Sequence, residues 1–369
     1  MDQSRLEPDF HQVFERVTDA YVALDRDWRY TYLNATACEL FGRKAEELIG
    51  RHIWTEFPEG VGQPFQLAYE KAMAEQRPQQ VEAFYPPYRR WFENRIYPSA
   101  NGLTIYFRDI TERKRAEQLA AGQHEILEGI AAQRPLAESL ERIARLHETM
   151  NPGALCSLLL LDDDGRHVLH GAAPSLPETY NCTLHGLEIG EAHGSCGTAA
   201  WRGERVVVAD IASHPDWDNY RQAALAHGLK ACWSTPVFGS HNEVLGTFAV
   251  YFREPREPRE EELHSIDRML PITGIAIESE RLVARLRVRD RFFEMSQEIF
   301  CILDPRSGRL LQFNPPLPQL TGYRASELNA RPYREFLLPL NPGDDSDPML
   351  ATGRAGERVH EFVNRCRCR

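Results

Sequence analysis

No run in the 369 residues approaches the roughly 20 consecutive apolar positions that a membrane-spanning helix needs, and the richest short stretch is Ala154 to Leu161. The opening Met1-Asp2-Gln3-Ser4-Arg5 lacks the basic and apolar regions of a signal peptide, so a cytoplasmic location is expected. Positive charge is also short. With 43 Lys and Arg against 54 Asp and Glu, the formal net charge of −11 repels phosphate backbones and argues against nucleic acid as a partner. The eight cysteines lack paired spacing, which excludes a disulfide framework and fits small buried side chains in a reducing compartment. Cys366-Arg367-Cys368 is a close pair without the second pair that a zinc site needs, so no metal is expected.

The most informative feature present is a repeat. Tyr21-Val22-Ala23-Leu24-Asp25, Tyr32-Leu33-Asn34, Leu40-Phe41-Gly42 and Glu47-Leu48 return as Phe300-Cys301-Ile302-Leu303-Asp304, Gln312-Phe313-Asn314, Leu320-Thr321-Gly322-Tyr323 and Glu327-Leu328. Copies about 280 residues apart, with different sequence between them, are duplicated domains and not the 20- to 50-residue units of a solenoid. The length suits about two to three domains, and 42% apolar with 26% charged residues is ordinary globular composition.

In the first module, Leu6, Phe10, Val13, Phe14 and Val17 fall at helical spacing, which predicts an opening amphipathic helix. A hairpin follows at Tyr21 to Asp25 and Tyr30 to Leu33, then short helices at Ala35 to Phe41 and Lys44 to Leu48. Strands are expected at Gln80 to Tyr85, Arg90 to Tyr97 and Leu103 to Asp109. Strands in runs, with helices gathered on one side, predict an α+β sheet of about five strands. The Asn34 strand end, Leu40-Phe41-Gly42, Glu46-Glu47-Leu48-Ile49-Gly50 and the closing Asp109-Ile110-Thr111 resemble the PAS domain. A side-chain acceptor at Asp109 or Thr111 is placed to cap a helix starting near Glu112.

The resemblance implies a cavity between sheet and helices, with Tyr30, Tyr32, Trp54, Phe84 and Trp91 as candidates to line it. The flavin-binding subclass carries Gly-x-Asn-Cys-Arg, whereas Gly50-Arg51-His52-Ile53-Trp54 has no thiol there, and His52 alone makes no case for haem.

The middle segment has strands expected at Ala154 to Leu161, Arg166 to Ala172, Arg205 to Asp210, Ala231 to Phe238 and Val244 to Phe252. Gly194-Ser195-Cys196-Gly197-Thr198-Ala199-Ala200, Val208-Ala209-Asp210-Ile211, Ser213-His214-Pro215-Asp216-Trp217, Ala231-Cys232-Trp233-Ser234-Thr235-Pro236 and Leu245-Gly246-Thr247-Phe248 resemble a GAF domain. That implies a second pocket, with Cys196, Trp217 and Trp233 as candidates. The cyclic-nucleotide signature of the family is missing, and no cysteine precedes a histidine as in covalent bilin sensors, so the cofactor is unknown. Free methionine sulfoxide reductases share the Cys-Gly-Thr-Ala run. An enzyme using Cys196 with Cys232 is therefore an alternative, although the acidic group of that family is replaced by Cys232-Trp233-Ser234-Thr235-Pro236.

Leu119, Ile126 and Ile130 form a weak heptad; Ile275, Leu282, Leu286 and Phe293 form a better one, interrupted by Ser279 and Arg289. The expected organisation is a PAS domain at 1–113, a helical linker at 114–131, a GAF domain at 132–283, a linker at 284–294 and a second PAS domain at 295–369 whose last strands are missing after His360 to Asn364. The fold class expected is α+β and multi-domain, with antiparallel five- to six-stranded sheets. Strings of this kind resemble the input halves of bacterial histidine kinases and cyclic di-GMP turnover proteins. A kinase-type phosphoacceptor motif, a Gly-rich ATP loop, Gly-Gly-Asp-Glu-Phe and Glu-Ala-Leu signatures are all absent. The expectation is a non-catalytic, homodimeric sensor of a small molecule or redox state. Asp109, Thr111, Leu282 and Leu286 would relay the signal to a kinase or cyclic di-GMP output domain outside this chain, with a pure dimerisation scaffold as a further alternative.

Overall fold

Asn34 organises the first sheet. Its Oδ1 accepts from Tyr21 N and Ala37 N, each at 3.0 Å, and its Nδ2 donates to Asp19 O at 3.0 Å. One side chain thereby ties the entry to β1 (Ala20–Asp25), the end of β2 (Tyr30–Leu33) and the first turn of α1 (Ala35–Phe41). The turn between the strands is held by Asp25 Oδ1, which accepts from Asp27 N and Arg29 N at 2.9 and 2.8 Å. Gly42, at φ 63°, ends α1 in the left-handed conformation. The computed structural model describes residues 19–304, 306–338 and 365–366; the opening amphipathic helix, the strand expected at His360 to Asn364 and the side chains of Cys366-Arg367-Cys368 lie outside the described residues.

After α1 come α2 (Ala45–Leu48), α3 (Ile53–Glu56) and α4 (Pro64–Glu75), then β3 (Gln79–Tyr85), β4 (Arg90–Ser99) and β5 (Gly102–Asp109). The sheet is antiparallel, in the order β2-β1-β5-β4-β3. Its inner face carries Val22, Leu24, Phe92, Ile96, Ile105 and Phe107, packed under the helices. The helix α4 did not figure in the sequence reading, yet Pro64 opens it and Phe65, Tyr69 and Ala72 form its buried stripe.

The chain leaves the sheet through α5 (Thr111–Ala131) and α6 (Leu136–Met150). Contacts group the residues up to Glu128 with Arg145–Ala154 in one unit, and Gly129–Ala144 with the residues from Leu155 onward in another. In the second unit, β6 (Leu155–Leu161), β7 (His167–Ala172), β8 (Leu187–Glu188), β9 (Val206–Val208), β10 (Ala231–Phe238) and β11 (Val244–Phe252) form a sheet in the order β8-β7-β6-β11-β10-β9. The helices α7 (Glu178–Leu184), α8 (Gly194–Arg202) and α9 (Arg221–Ala226) lie between these strands in sequence. The near-continuous burial of β10 and β11 shows that both sheet faces are covered. The helix α8 takes the face bearing Cys232 and Tyr251; α11 (Leu270–Met295), entered through α10 (Glu260–Asp267), takes the other, where Gly274 abuts the Phe238 carbonyl.

The final described segment repeats the opening device. β12 (Cys301–Leu303) pairs with β13 (Leu310–Phe313), followed by α12 (Pro316–Thr321) and α13 (Ala325–Ala330). Asn314 Oδ1 accepts from Phe300 N at 2.9 Å, Asn314 Nδ2 donates to Glu298 O at 2.7 Å, and Gly322 ends α12 at φ 75°. The duplicated sequence is a duplicated asparagine clamp.

Candidate functional site

Period-two alternation along β4 turns Phe92, Asn94 and Ile96 inward. The α3–α4 region supplies the opposite wall. Between them lies a cavity of ≈ 80 Å³, lined mainly by Tyr30, Trp54, Phe57, Tyr69, Tyr85 and Asn94 with neighbouring rings. The Trp54 and Tyr69 rings are 5.7 Å apart, and Asn94 Nδ2 donates to the Tyr69 hydroxyl at 2.5 Å. Burial holds the Tyr30 and Tyr69 phenols above their ordinary pKa, and burial with nearby Glu59 pushes Tyr85 up to about 12, so the wall is uncharged at neutral pH.

Of the five aromatic residues expected here, Tyr30 and Trp54 line the cavity. Tyr32, Phe84 and Trp91 do not, and the expectation is corrected for each. Leu24 pairs with Tyr30 but Ala23 pairs with Tyr32, so Thr31 is a bulged residue. The bulge inverts the alternation and turns Tyr32 outward, where its ring meets Tyr21 at 5.5 Å. Phe84 and Trp91 pair across β3 and β4 on the outer face, rings 5.9 Å apart, with Lys114 over Trp91. Asn94 and Tyr69 escaped the sequence reading. The available signals were a lone amide at an inward position of an aromatic strand and an apolar stripe after Pro64.

The cavity strands end in a hydrogen-bonded clamp. Asp109 Oδ1 accepts from Thr111 N at 2.9 Å and from Thr111 Oγ1 at 2.6 Å, while Thr111 Oγ1 accepts from Trp91 N at 2.9 Å. Arg90 holds the other oxygen of Asp109 at 3.0 Å. The first residue of α5 is thus bonded to β4 one position from the cavity residue Phe92, and Asp109 lies two positions after Phe107, which also lines it. The helix begins at Thr111, one residue ahead of the expected start.

In the second unit, Cys196 is 7% exposed. Its Sγ lies 3.6 Å from the Tyr251 hydroxyl, which is 3.3 Å from Ser157 Oγ. Cys232 sits directly opposite Tyr251 in the β10–β11 register. A hydrogen bond with Cys232 lowers the Cys196 thiol pKa, while burial raises that of Cys232. Trp217 Nε1 donates to Ser195 Oγ at 3.0 Å and lines a ≈ 20 Å³ cavity together with Cys196. Trp233 lies on the opposite sheet face, its ring 4.6 Å from Phe252 and beneath Arg256, so its expected place in this pocket is corrected. The parity of neighbours Cys232 and Trp233 requires this. A cavity of this size gives no support to the reductase alternative. Leu282 and Leu286 are 59% and 39% exposed on α11. No helix among the described residues is long and apolar enough to cross a membrane.

Three family models match the chain in succession. Residues 14–115 match a PAS fold model, 133–278 a GAF domain model and 297–368 a PAS domain model. The methyl sulfide methyltransferase-associated sensor of Methanosarcina acetivorans is 38% identical over 264 residues, which is 70% of this chain and 26% of that protein. The chain therefore spans about a quarter of the length of this curated relative. Among solved structures, a putative GAF sensor protein from Burkholderia vietnamiensis is 15% identical, covering 45% of this chain and 98% of its own with a TM-score of 0.36. Free methionine-R-sulfoxide reductase from Neisseria meningitidis is 16% identical, covering 46% and 91% with a TM-score of 0.36. With three domain models matched in order, the chain carries a PAS domain, a GAF domain and a second PAS domain.

Proposed function

We propose that the chain is a non-catalytic sensory module in which a small molecule in the first PAS cavity changes the packing of β4 and β5, and the Asp109–Thr111 clamp passes that change into α5. The observation that carries this reading is that Phe92 and Phe107 wall the cavity while their strands supply Trp91 and Asp109 to the clamp. The domains are taken as 1–113, 132–283 and 295–369 with helical linkers between, working as a homodimer ahead of a kinase or cyclic di-GMP output domain in a cytoplasmic signalling protein. Thr111→Val removes the side-chain bonds to Trp91 and Asp109 while keeping the shape. Hydrogen exchange across residues 111–128 responds to ligand in the parent chain and loses that response in the variant; an equal response in both would sink the relay.

A second reading, redox sensing, is favoured by the Cys196, Cys232 and Tyr251 cluster. A hydroperoxide takes two electrons from the two thiols, giving a disulfide, water and an alcohol (water alone from hydrogen peroxide). Intact mass should fall by about 2 Da on mild peroxide treatment and not in Cys196→Ser. A disulfide that still forms in that variant places the chemistry elsewhere.

A further inference from the structure

The first PAS cavity holds two hydrogen-bonding groups that the protein leaves unused. Asn94 is 6% exposed and spends one amide hydrogen-bonding group on Tyr69, while its Oδ1 is buried without a partner among the described residues. Trp54 Nε1 is likewise buried and unpartnered. One group accepts and the other donates, and both residues line the same cavity, linked through the Tyr69 ring. Buried polar groups are nearly always paired, so two such groups in one cavity mark a place completed by a ligand.

The lining decides what kind of ligand. It includes no Lys, Arg, His, Asp or Glu, so a bound ion would be desolvated without a counter-charge. An aromatic wall attracts quaternary ammonium ions; such an ion, however, offers Trp54 no acceptor and Asn94 no donor. A hydrocarbon leaves both groups unpaired. Benzene occupies engineered cavities of about 150 Å³, so at ≈ 80 Å³ even a single ring requires the lining side chains to yield, and nothing larger is accommodated.

We propose that this cavity binds a neutral, planar, single-ring molecule of the cyclic amide type, its N–H given to Asn94 Oδ1 and its carbonyl accepting from Trp54 Nε1. The inference rests on the cavity being the sensing site and adds the chemical class of what is sensed.

The test titrates 2-pyridone, toluene and tetramethylammonium into the full chain carrying 15N-labelled tryptophan, with the Trp54 indole signal assigned from Trp54→Phe. The expected result is a saturable downfield shift of the Trp54 N–H with 2-pyridone, and binding of the other two at least about tenfold weaker. Asn94→Leu should weaken 2-pyridone about tenfold and leave toluene unchanged. Should Asn94→Leu fail to fold, Trp54→Phe carries the same comparison, read by calorimetric titration because the reporter indole is gone; it removes the donor and keeps an aromatic face. Absence of 2-pyridone binding, equal affinity for toluene or tetramethylammonium, or a variant that binds 2-pyridone as the parent does would each overturn the assignment. Failure of the sensing role looks different: 2-pyridone binds as expected, yet hydrogen exchange across residues 111–128 does not change.

Discussion

Burial sets the protonation of the tyrosines around the cavity, and this has a consequence in alkali. Tyr30, Tyr69 and Tyr85 all have phenols raised above the ordinary value, first by desolvation. A raised folded-state pKa contributes stability that is complete below the unfolded value of about 10 and is lost as pH climbs through the folded values. The urea midpoint of the segment 20–109, followed by peptide-resolved hydrogen exchange, should stay level from about pH 7 to 9 and fall above about pH 10. A midpoint that holds or rises into strong alkali would contradict the buried, neutral tyrosines. Single residues were unevenly legible. Asn34 and Asn314 stood out because both copies keep them, and the structure gives the reason: each closes a strand pair through its side-chain amide. Asn94 did not stand out, since its meaning depends on the Trp54 and Tyr69 rings that folding brings beside it.

At the scale of elements, the strands of both sheets were readable from their apolar, aromatic and β-branched runs except the two-residue β8, and the Gly42 and Gly322 stops from the repeat. The helix α4 was missed because its stripe is short and mixed with polar residues. The bulge at Thr31 was missed because a bulge belongs to the pairing of two strands and to neither alone. Gly102 is another such case: at φ +148° its missing side chain makes room for the backbone of Leu24 and Asp25 on the neighbouring strand. Gly102→Ala should destabilise the first PAS domain by about 3 kcal/mol, measured by urea unfolding. A loss below about 0.5 kcal/mol would show that β1 and β5 can separate without penalty.

At the scale of the whole molecule, the two heptads part company. Leu119 and Ile126 are buried and Ile130 half-buried within the single chain, whereas Ile275, Leu282 and Leu286 on α11 are exposed. A seam reserved for a second copy must be exposed in one chain, so α11 is the helix expected to dimerise. Sedimentation velocity should find a dimer for the parent and a monomer for the Leu282→Glu, Leu286→Glu double variant. An unchanged dimer would move the interface elsewhere; a monomeric parent would remove it.

The sequence by itself determined the order of the modules, the fold class and the Asp109 acceptor at the start of α5, because these rest on local pattern: alternation, spacing and capping act over a few neighbouring residues. Tertiary structure alone decided which aromatic side chains face the cavity, which thiol meets Tyr251 and which heptad stays exposed. Those outcomes depend on strand parity, bulges and burial, which arise only when distant segments pack against one another.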